Sequence, residues 1–473
     1  MKALARSLLA TALLVPAVAA AQPYLVVFKS DQVPADTARL VAGYGGRLSR
    51  SYAPIGVVSV DGDAAFAGRI AGDKRVFAVG PEHVFTASEP LAQEASPAMP
   101  AAQPLPSDNL YGLQWDMRRV NAPAVWARLP LAAVKPRVAV LDVGTMDDHP
   151  DLAGQVDASY STSYCSTSGG PGATAGYPVY ASYIDFDAFP DWTPADGCSP
   201  EPANYEPHGT HVAGTIAAKF GGGRVVGVAP DASIGVYKVF DHYRYTDPVA
   251  GRVERTGAFD GPLFAAIIDA TQRGYPVISM SLGGEIFRNQ KGSAASWQAW
   301  SRVAKWADRN GALLVAAAGN EEFDLNGVIA HVPSDIPSIV SVSASATSDL
   351  VAGADGLVAA PGSDILAFYS NYGASSIDIT APGGDCGPGA ACDPDYLILN
   401  DYIRPDSGAA AYAWMAGTSM ATPHVSAVAA QVRSMHPSWT TGHVRAWLKS
   451  SAQNLGNRQY FGAGMLDADA ATR

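Results

Sequence analysis

Three short apolar runs restrict the architecture more than anything else in the 473 residues. They are Val138-Ala139-Val140-Leu141, Val277-Ile278-Ser279-Met280-Ser281-Leu282 and Leu313-Leu314-Val315-Ala316-Ala317-Ala318. Polar and apolar residues do not alternate regularly in them, so each predicts a strand covered on both faces, as in a parallel sheet. Between the last two runs, Trp300, Val303, Ala304 and Ala307 share one face of a helix. Buried strands interleaved with one-faced helices predict an α/β fold with helices on both sides of a parallel sheet, three layers in all. In such sheets, sites lie beyond the carboxyl ends of the strands. Asp142, Gly283-Gly284 and Gly319-Asn320 fall there.

The sequence before this sheet is of a different kind. Residues 1–21 have the form of a secretory signal: Lys2 and Arg6, an apolar run from Leu8 to Val15, then small residues around Ala17 to Ala21. The apolar run is too short to span a bilayer, so no membrane anchor is expected. Residues 22–87 read as a small α+β module. Strands are expected at Tyr24–Phe28, Val57–Val60 and Val76–Val79, with a possible fourth at His83–Thr86. Helices are expected at Ala35–Gly43 and Asp63–Ile70. Residues 88–107 predict a linker, since ten of the twenty are Ala or Pro and no periodicity is present. From Asp108 to residue 473 runs the large domain, with a polar insertion expected at 153–206 and surface loops at 351–376 and 385–412. A net charge of −12 argues against a nucleic-acid partner.

Three stretches of the large domain carry chemistry. Val140-Leu141-Asp142-Val143-Gly144 puts a carboxylate at a strand end. His208-Gly209-Thr210-His211-Val212-Ala213-Gly214-Thr215 is a small-residue helix led by a histidine. Gly417-Thr418-Ser419-Met420-Ala421-Thr422-Pro423-His424 puts a serine at a helix N-terminus, where free amides favour negative charge. Asp, His and Ser are the set needed to make a hydroxyl nucleophilic: His208 takes the Ser419 proton and Asp142 fixes the imidazole. His208 and His211 lack the acidic residue between them that H-E-x-x-H would supply, so no metal is expected there. His149, His211 and His424 are expected to be structural.

The order Asp…His…Ser, with the motifs around it, resembles the subtilisin-like serine proteases of the subtilase superfamily. The likeness runs from 108 to 473. It includes His149-Pro150-Asp151-Leu152, Gly227-Val228-Ala229-Pro230, Ser281-Leu282-Gly283-Gly284, Ala317-Ala318-Gly319-Asn320 and Ala381-Pro382-Gly383-Gly384. The resemblance implies a secreted endopeptidase, extracellular or periplasmic, acting on proteins or peptides through an acyl-enzyme. It implies that Asn320 and the Ser419 amide bind the oxyanion. Ser281, Leu282, Gly283, Gly284, Ala317 and Gly319 would line an open, mostly apolar pocket, with Glu321 at its rim. The module at 22–87 would be a ferredoxin-like inhibitory propeptide, removed by cleavage in the linker, and the mature enzyme a monomer.

The chain departs from the family pattern in places. Val143 stands where the family usually has Ser or Thr, which removes a hydroxyl beside Asp142. Pro207 precedes the histidine where Gly is common. No cofactor is needed for the chemistry, but a structural calcium is implied at Asp151, with Asp108 adding a second carboxylate. The loop that usually completes that site reads Gly221-Gly222-Gly223 here. The four cysteines allow three pairings, of which the local ones, Cys165–Cys198 and Cys386–Cys392, are expected. The competing readings are an inactive subtilase fold used for binding, or an esterase with the same triad.

Overall fold

A computed structural model describes residues 22–85, 91–94, 108–157, 159–164, 193–194, 206–247, 251–290, 292–353, 357–389 and 391–473. The expected signal at 1–21, most of the linker, and Cys165 and Cys198 lie outside the described residues. The N-terminal unit comprises β1 (Gln22–Phe28), α1 (Thr37–Gly43), β2 (Arg47–Tyr52), β3 (Val57–Gly62), α2 (Phe66–Ile70) and β4 (Val76–Pro81). Its antiparallel sheet has the order β2-β3-β1-β4, with β1 between β3 and β4. This is the ferredoxin-like arrangement.

Strand β1 shows why a continuous apolar run suits it. Tyr24, Val26 and Phe28 face Leu40, Val41, Phe66 and Ile70 within the unit. Leu25 and Val27 face the other way, into a core shared with the large domain. Strand β2 was not expected from the sequence. Arg47-Leu48-Ser49-Arg50-Ser51-Tyr52 is mostly polar, and pairing with β3 rather than its own pattern makes it a strand. The short strand β5 (Val84–Phe85) does not extend this sheet as expected for His83–Thr86. It pairs with the large domain instead, and β6 (Leu91–Glu94) does the same further on.

In the large domain, short helices α3 (Trp115–Arg119) and α4 (Ala122–Trp126) precede β7 (Arg137–Asp142). The two-residue strands β8 (Thr162–Ser163) and β9 (Thr193–Pro194) fall in the expected insertion. Then follow α5 (His208–Ala217), β10 (Ser233–Lys238), β11 (Asp241–Asp247), β12 (Gly251–Phe259), α6 (Asp260–Gln272), β13 (Val277–Met280), β14 (Gly284–Phe287), α7 (Ser293–Arg309), β15 (Leu313–Ala317), β16 (Ile329–Val332) and β17 (Ile339–Thr347). Minor strands β18 (Val351–Ala352), β19 (Val358–Ala359) and β20 (Asp364–Leu366) lead to β21 (Ile379–Pro382), β22 (Ile398–Ile403), β23 (Ala410–Ala416), α8 (Thr418–Met435) and α9 (Thr441–Ser451).

The central sheet runs β20-β17-β15-β13-β7-β10-β8, with β21 also on β17, and every pairing is parallel except β17–β20. Both faces are covered, as the apolar runs predict. In β7, Val138 and Val140 pack into the layer of α5 and α8, while Ala139 and Leu141 pack into that of α6 and α7. Helix α7 buries Trp300, Val303, Ala304 and Ala307, the expected face.

The expected surface loop at 385–412 is corrected by the structure. Its second half forms the hairpin β22–β23, and Ile398, Leu399, Asn400 and Asp401 are fully buried. The hairpin covers α5, where His211 Nε2 donates to the Ile398 carbonyl at 3.0 Å. Cys386 and Cys392 are joined as a disulfide.

The N-terminal unit is docked on the large domain. Arg302 of α7 donates from Nη2 to the Phe28 carbonyl (2.7 Å) and from Nη1 to those of Ser30 and Ile55 (3.1 Å each). Phe85 of β5 is buried against Trp300, which also packs on Phe264.

Candidate active site

Asp142 ends β7, and its Oδ1 accepts from His208 Nδ1 at 2.7 Å and from the Val143 amide at 2.8 Å. His208 opens α5, which lies tight against the turn after β7. A Cβ on Gly209 would sit 2.0 Å from the Gly144 carbonyl oxygen, so only glycine lets the histidine come this close. The ring is buried, which opposes its charged form. The Asp142 carboxylate and, more weakly, Glu206 more than offset this and leave its pKa raised. Asp142 Oδ2 is buried without a hydrogen-bond partner. That is the oxygen a hydroxyl at position 143 could serve, and Val143 cannot.

Ser419 lies in the first turn of α8. Pro423, four residues on, has no N–H for the Ser419 carbonyl. The Ser281 hydroxyl replaces it, donating to that carbonyl at 2.8 Å. Ser281 therefore fixes the serine backbone, a role its sequence motif did not disclose. The Ser419 hydroxyl donates to the Ser281 carbonyl at 3.3 Å, and His208 Nε2 is buried with no partner. The Ser419–His208 hydrogen bond is not formed in this rotamer.

Asn320 is oriented by the residue before the serine. Its Oδ1 accepts from the Thr418 amide (2.9 Å) and hydroxyl (2.8 Å), and that hydroxyl accepts from the Gly319 amide (3.2 Å). With Oδ1 committed, Nδ2 is left for another partner. A Cβ built on Gly417 would lie 3.5 Å from the Ser419 amide nitrogen and 3.7 Å from Asn320 Nδ2. The two donors therefore border one small space, which glycine leaves open. Two converging N–H donors beside a hydroxyl form a site that can bind an oxyanion. Thr418 was not singled out from the sequence, although its place between Gly417 and Ser419 is the available signal.

The pocket residues come together, but the open, apolar pocket expected from the glycines is not what the structure builds. His331, on β16 opposite Glu285 of β14, turns its ring between Gly283 and Gly319. A Cβ on Gly283 would lie 2.0 Å from His331 Cε1, and one on Gly319 would lie 2.6 Å from Cδ2 and 2.5 Å from Glu321 Oε2. The ring is hydrogen-bonded through Nδ1 to Ser334 Oγ (3.0 Å). Since that hydroxyl donates to the His331 carbonyl, Nδ1 carries the proton and Nε2 is left as an acceptor. Burial holds the His331 pKa down to about 4, with Glu285 opposing and His83 adding to the shift. Glu321 is held by Asn371 Nδ2 at 2.7 Å. A lone polar residue in the strand Ile329-Ala330-His331-Val332 was the only hint in the sequence.

His149, His211 and His424 hold backbone, as expected of structural residues. His424 joins the Met420 carbonyl (2.8 Å) to Asp116 (3.0 Å). Burial pushes the His211 pKa down to about 3, so that ring is neutral. The two carboxylates expected to hold calcium meet at the Gly221-Gly222-Gly223 loop: both Asp108 oxygens accept from the Gly221 amide at 3.0 Å, Asp151 Oδ2 accepts from the Arg224 amide at 3.1 Å, and the charge of Asp151 adds to the upward shift that burial gives the Asp108 pKa. On its other side Asp151 groups with His149 and Asp401. Among the described residues no helix is long and apolar enough to cross a membrane.

Comparison with known proteins agrees with this geometry. The subtilase family (peptidase S8) matches residues 134–464. Subtilisin NAT of Bacillus subtilis subsp. natto is 28% identical over 453 residues, which are 95% of this chain and 90% of that protein. Alkaline elastase YaB of Bacillus sp. (strain YaB) is 32% identical over 359 residues, 76% of this chain and 70% of that one. Two solved structures share the fold. The epidermin leader peptide processing serine protease of Staphylococcus aureus matches with TM-score 0.69 and 21% identity, over 96% of this chain and 98% of that one. Fervidolysin from Fervidobacterium pennivorans, a keratinolytic enzyme related to subtilisin, matches with TM-score 0.64 and 24% identity, over 96% of this chain and 61% of that one.

Proposed function

The chain belongs to the subtilase family of serine proteases, and from that premise we propose that it is a secreted endopeptidase that works through Ser419, His208 and Asp142. Ser419 Oγ attacks the peptide carbonyl carbon while its proton passes to His208 Nε2. The carbonyl oxygen, now an anion, takes hydrogen bonds from Asn320 Nδ2 and the Ser419 amide. His208 then gives the proton to the leaving amine, and water releases the acyl group by the reverse sequence. Asp142 keeps the imidazole in the needed tautomer and stabilises its cation. The observation that supports this reading most is the pair of donors facing one space beside Ser419, with a carboxylate-held imidazole nearby. The N-terminal unit acts as the chain's own inhibitor until the linker is cut.

Specificity in this reading follows from His331 and Glu321. Both present acceptors behind the two glycines, and the imidazole takes up space. The residue before the cut bond is therefore short, or one that donates hydrogen bonds, rather than a large apolar side chain.

A second reading, a silent subtilase fold that only binds, is favoured by one observation: Ser419 Oγ is turned to Ser281 and not to His208. A serine-directed fluorophosphonate separates the two. Labelling at Ser419, lost in Ser419→Ala along with linker cleavage, supports the enzyme. An unlabelled wild-type chain, or a Ser419→Ala chain that still cuts itself, overturns it.

A further inference from the structure

Asp151, to which the family resemblance gives calcium together with Asp108, also lies on its other side with an imidazole and a second carboxylate brought by the β22–β23 hairpin. From this donor set we propose that His149, Asp151 and Asp401 form a structural site for a divalent transition-metal ion of the zinc class.

His149 and Asp151 belong to the turn after β7, and Asp401 to β22. Their ligand atoms all lie within 4.8 Å of one another. All three residues are fully buried. His149 Nε2 donates to the Ala411 carbonyl at 3.0 Å, which leaves Nδ1 as the lone-pair nitrogen. The Asp151 amide, 3.4 Å from Nδ1, agrees with that tautomer. Nδ1 faces Asp401 Oδ1 at 3.3 Å. A ring N–H anchored on a backbone carbonyl is the usual second contact of a metal-bound histidine. Neither Asp401 oxygen has a hydrogen-bond partner, nor has Asp151 Oδ1. Asp151 Oδ2 accepts from the Arg224 amide at 3.1 Å, which orients that carboxylate. Glycine backbone gives room for the approach, since a Cβ on Gly214 would lie 2.6 Å from Asp401 Oδ2.

Asp151 has the Arg224 amide and the Tyr412 hydroxyl beside it, but Asp401 faces only Asp151 and the imidazole, and two buried carboxylates this close cost several kcal/mol if both are left charged. Either they share a proton or they share a cation. A shared proton serves one oxygen of each pair and leaves the imidazole lone pair aimed at a carboxyl. A cation serves all three atoms together. One imidazole nitrogen and two carboxylate oxygens suit zinc, cobalt or manganese; calcium takes six to eight oxygens. The ion would tie the hairpin to the turn that follows Asp142. Because β23 runs directly into Gly417 and Ser419, it would brace both ends of the site without touching substrate.

The test uses the full-length Ser419→Ala chain, stripped with a chelator and titrated with zinc, cobalt or calcium. Calorimetry gives stoichiometry, visible absorption reports cobalt ligation, and thermal unfolding reports stability. One zinc per chain is expected, with a raised Tm and cobalt bands, and calcium should not compete. Asp401→Asn should fold, because it keeps shape and removes one charge, and should bind zinc at least ~10-fold more weakly. Absence of zinc binding overturns the proposal, as does zinc binding that Asp401→Asn leaves intact. Calcium binding in preference to zinc overturns the ion class. A stripped chain that Asp401→Asn stabilises and zinc does not affect shows that the pair shares a proton instead.

Discussion

Replacing Glu82 by glutamine in a Ser419→Ala chain isolates one charge at the joint between the N-terminal unit and the large domain. Glu82 follows β4 and is fully buried. Its carboxyl accepts from the Ser59 hydroxyl and from the Gly261 amide at the start of α6 (3.1 Å). Asp260 stands beside it, accepting from the His83 amide (2.8 Å), Trp300 Nε1 (2.7 Å) and Ser296 (3.2 Å). Burial, with Asp260 and Asp61 adding to it and the two donors opposing, pushes the Glu82 pKa from 4.5 up to about 8. Asp260 is pushed up to about 7, again mainly by burial. On undocking, Asp260 keeps Trp300 and Ser296, whereas Glu82 goes to water, so Glu82 sets the size of the effect. A raised carboxyl pKa means that the docked form binds more protons between pH 4.5 and about 8. Docking is therefore strongest below the ordinary value and weakens as pH rises to about 8. The slope is ~1.4 kcal/mol per pH unit, tenfold in the docking equilibrium, for up to about three units. Five apolar side chains of the unit, Leu25, Val27, Tyr52, Ile55 and Val57, enter the shared core. At ~2 kcal/mol each they supply on the order of 10 kcal/mol before entropy. A lever of ~4 kcal/mol is thus a large part of the joint. Urea titration of the Ser419→Ala chain, followed by Trp fluorescence at pH 5, 6, 7 and 8, measures it. Glu82→Gln should match the parent at pH 5 and exceed it increasingly up to pH 8. Parallel pH dependences for the two chains would refute the reasoning.

Further outcomes can be checked on the processed enzyme. His331→Gly should open the pocket and raise kcat/KM for substrates with Phe before the cut bond by ~10–150-fold, the worth of burying that side chain, with Ala substrates little changed; matched p-nitroanilides read the ratio. Val143→Thr should give Asp142 Oδ2 a donor and stabilise the fold by about 1–2 kcal/mol in thermal unfolding. The same donor draws charge from the imidazole, so the acid limb of activity, which follows the raised His208 pKa, should move to lower pH. Asn320→Ala should lower kcat by ~10²–10³ with KM nearly unchanged, because its amide serves an oxygen charged only in the transition state.

What could be read from the sequence is set by where each residue's partners lie. The sheet was legible because β7, β13 and β15 are buried on both faces, so composition alone records it. The turns at Asp142, His208 and Ser419 were legible because glycine must stand wherever two backbones meet, as Gly209 does against Gly144. Strand β2 and the hairpin β22–β23 were not, since β2 has a polar pattern and Asn400 and Asp401 interrupt β22. Pairing across the sheet, not the residues' own preference, makes them strands. His331 and Asp401 illustrate the same limit in the sites. Each sits in a strand with no motif around it, and its meaning comes from Gly283 and Gly319 in one case and from His149 and Asp151 in the other. The family's motifs fix the glycines and the turn, but the residue that fills the space they leave comes from elsewhere in the chain. Ser419 carries this furthest. Its identity and its helix were readable, yet whether its hydroxyl turns to the Ser281 carbonyl or to His208 is a matter of one χ1 angle, decided by neighbours. In the proposed reaction, a peptide backbone laid along the Ser281 segment would compete for the carbonyl that now holds the hydroxyl.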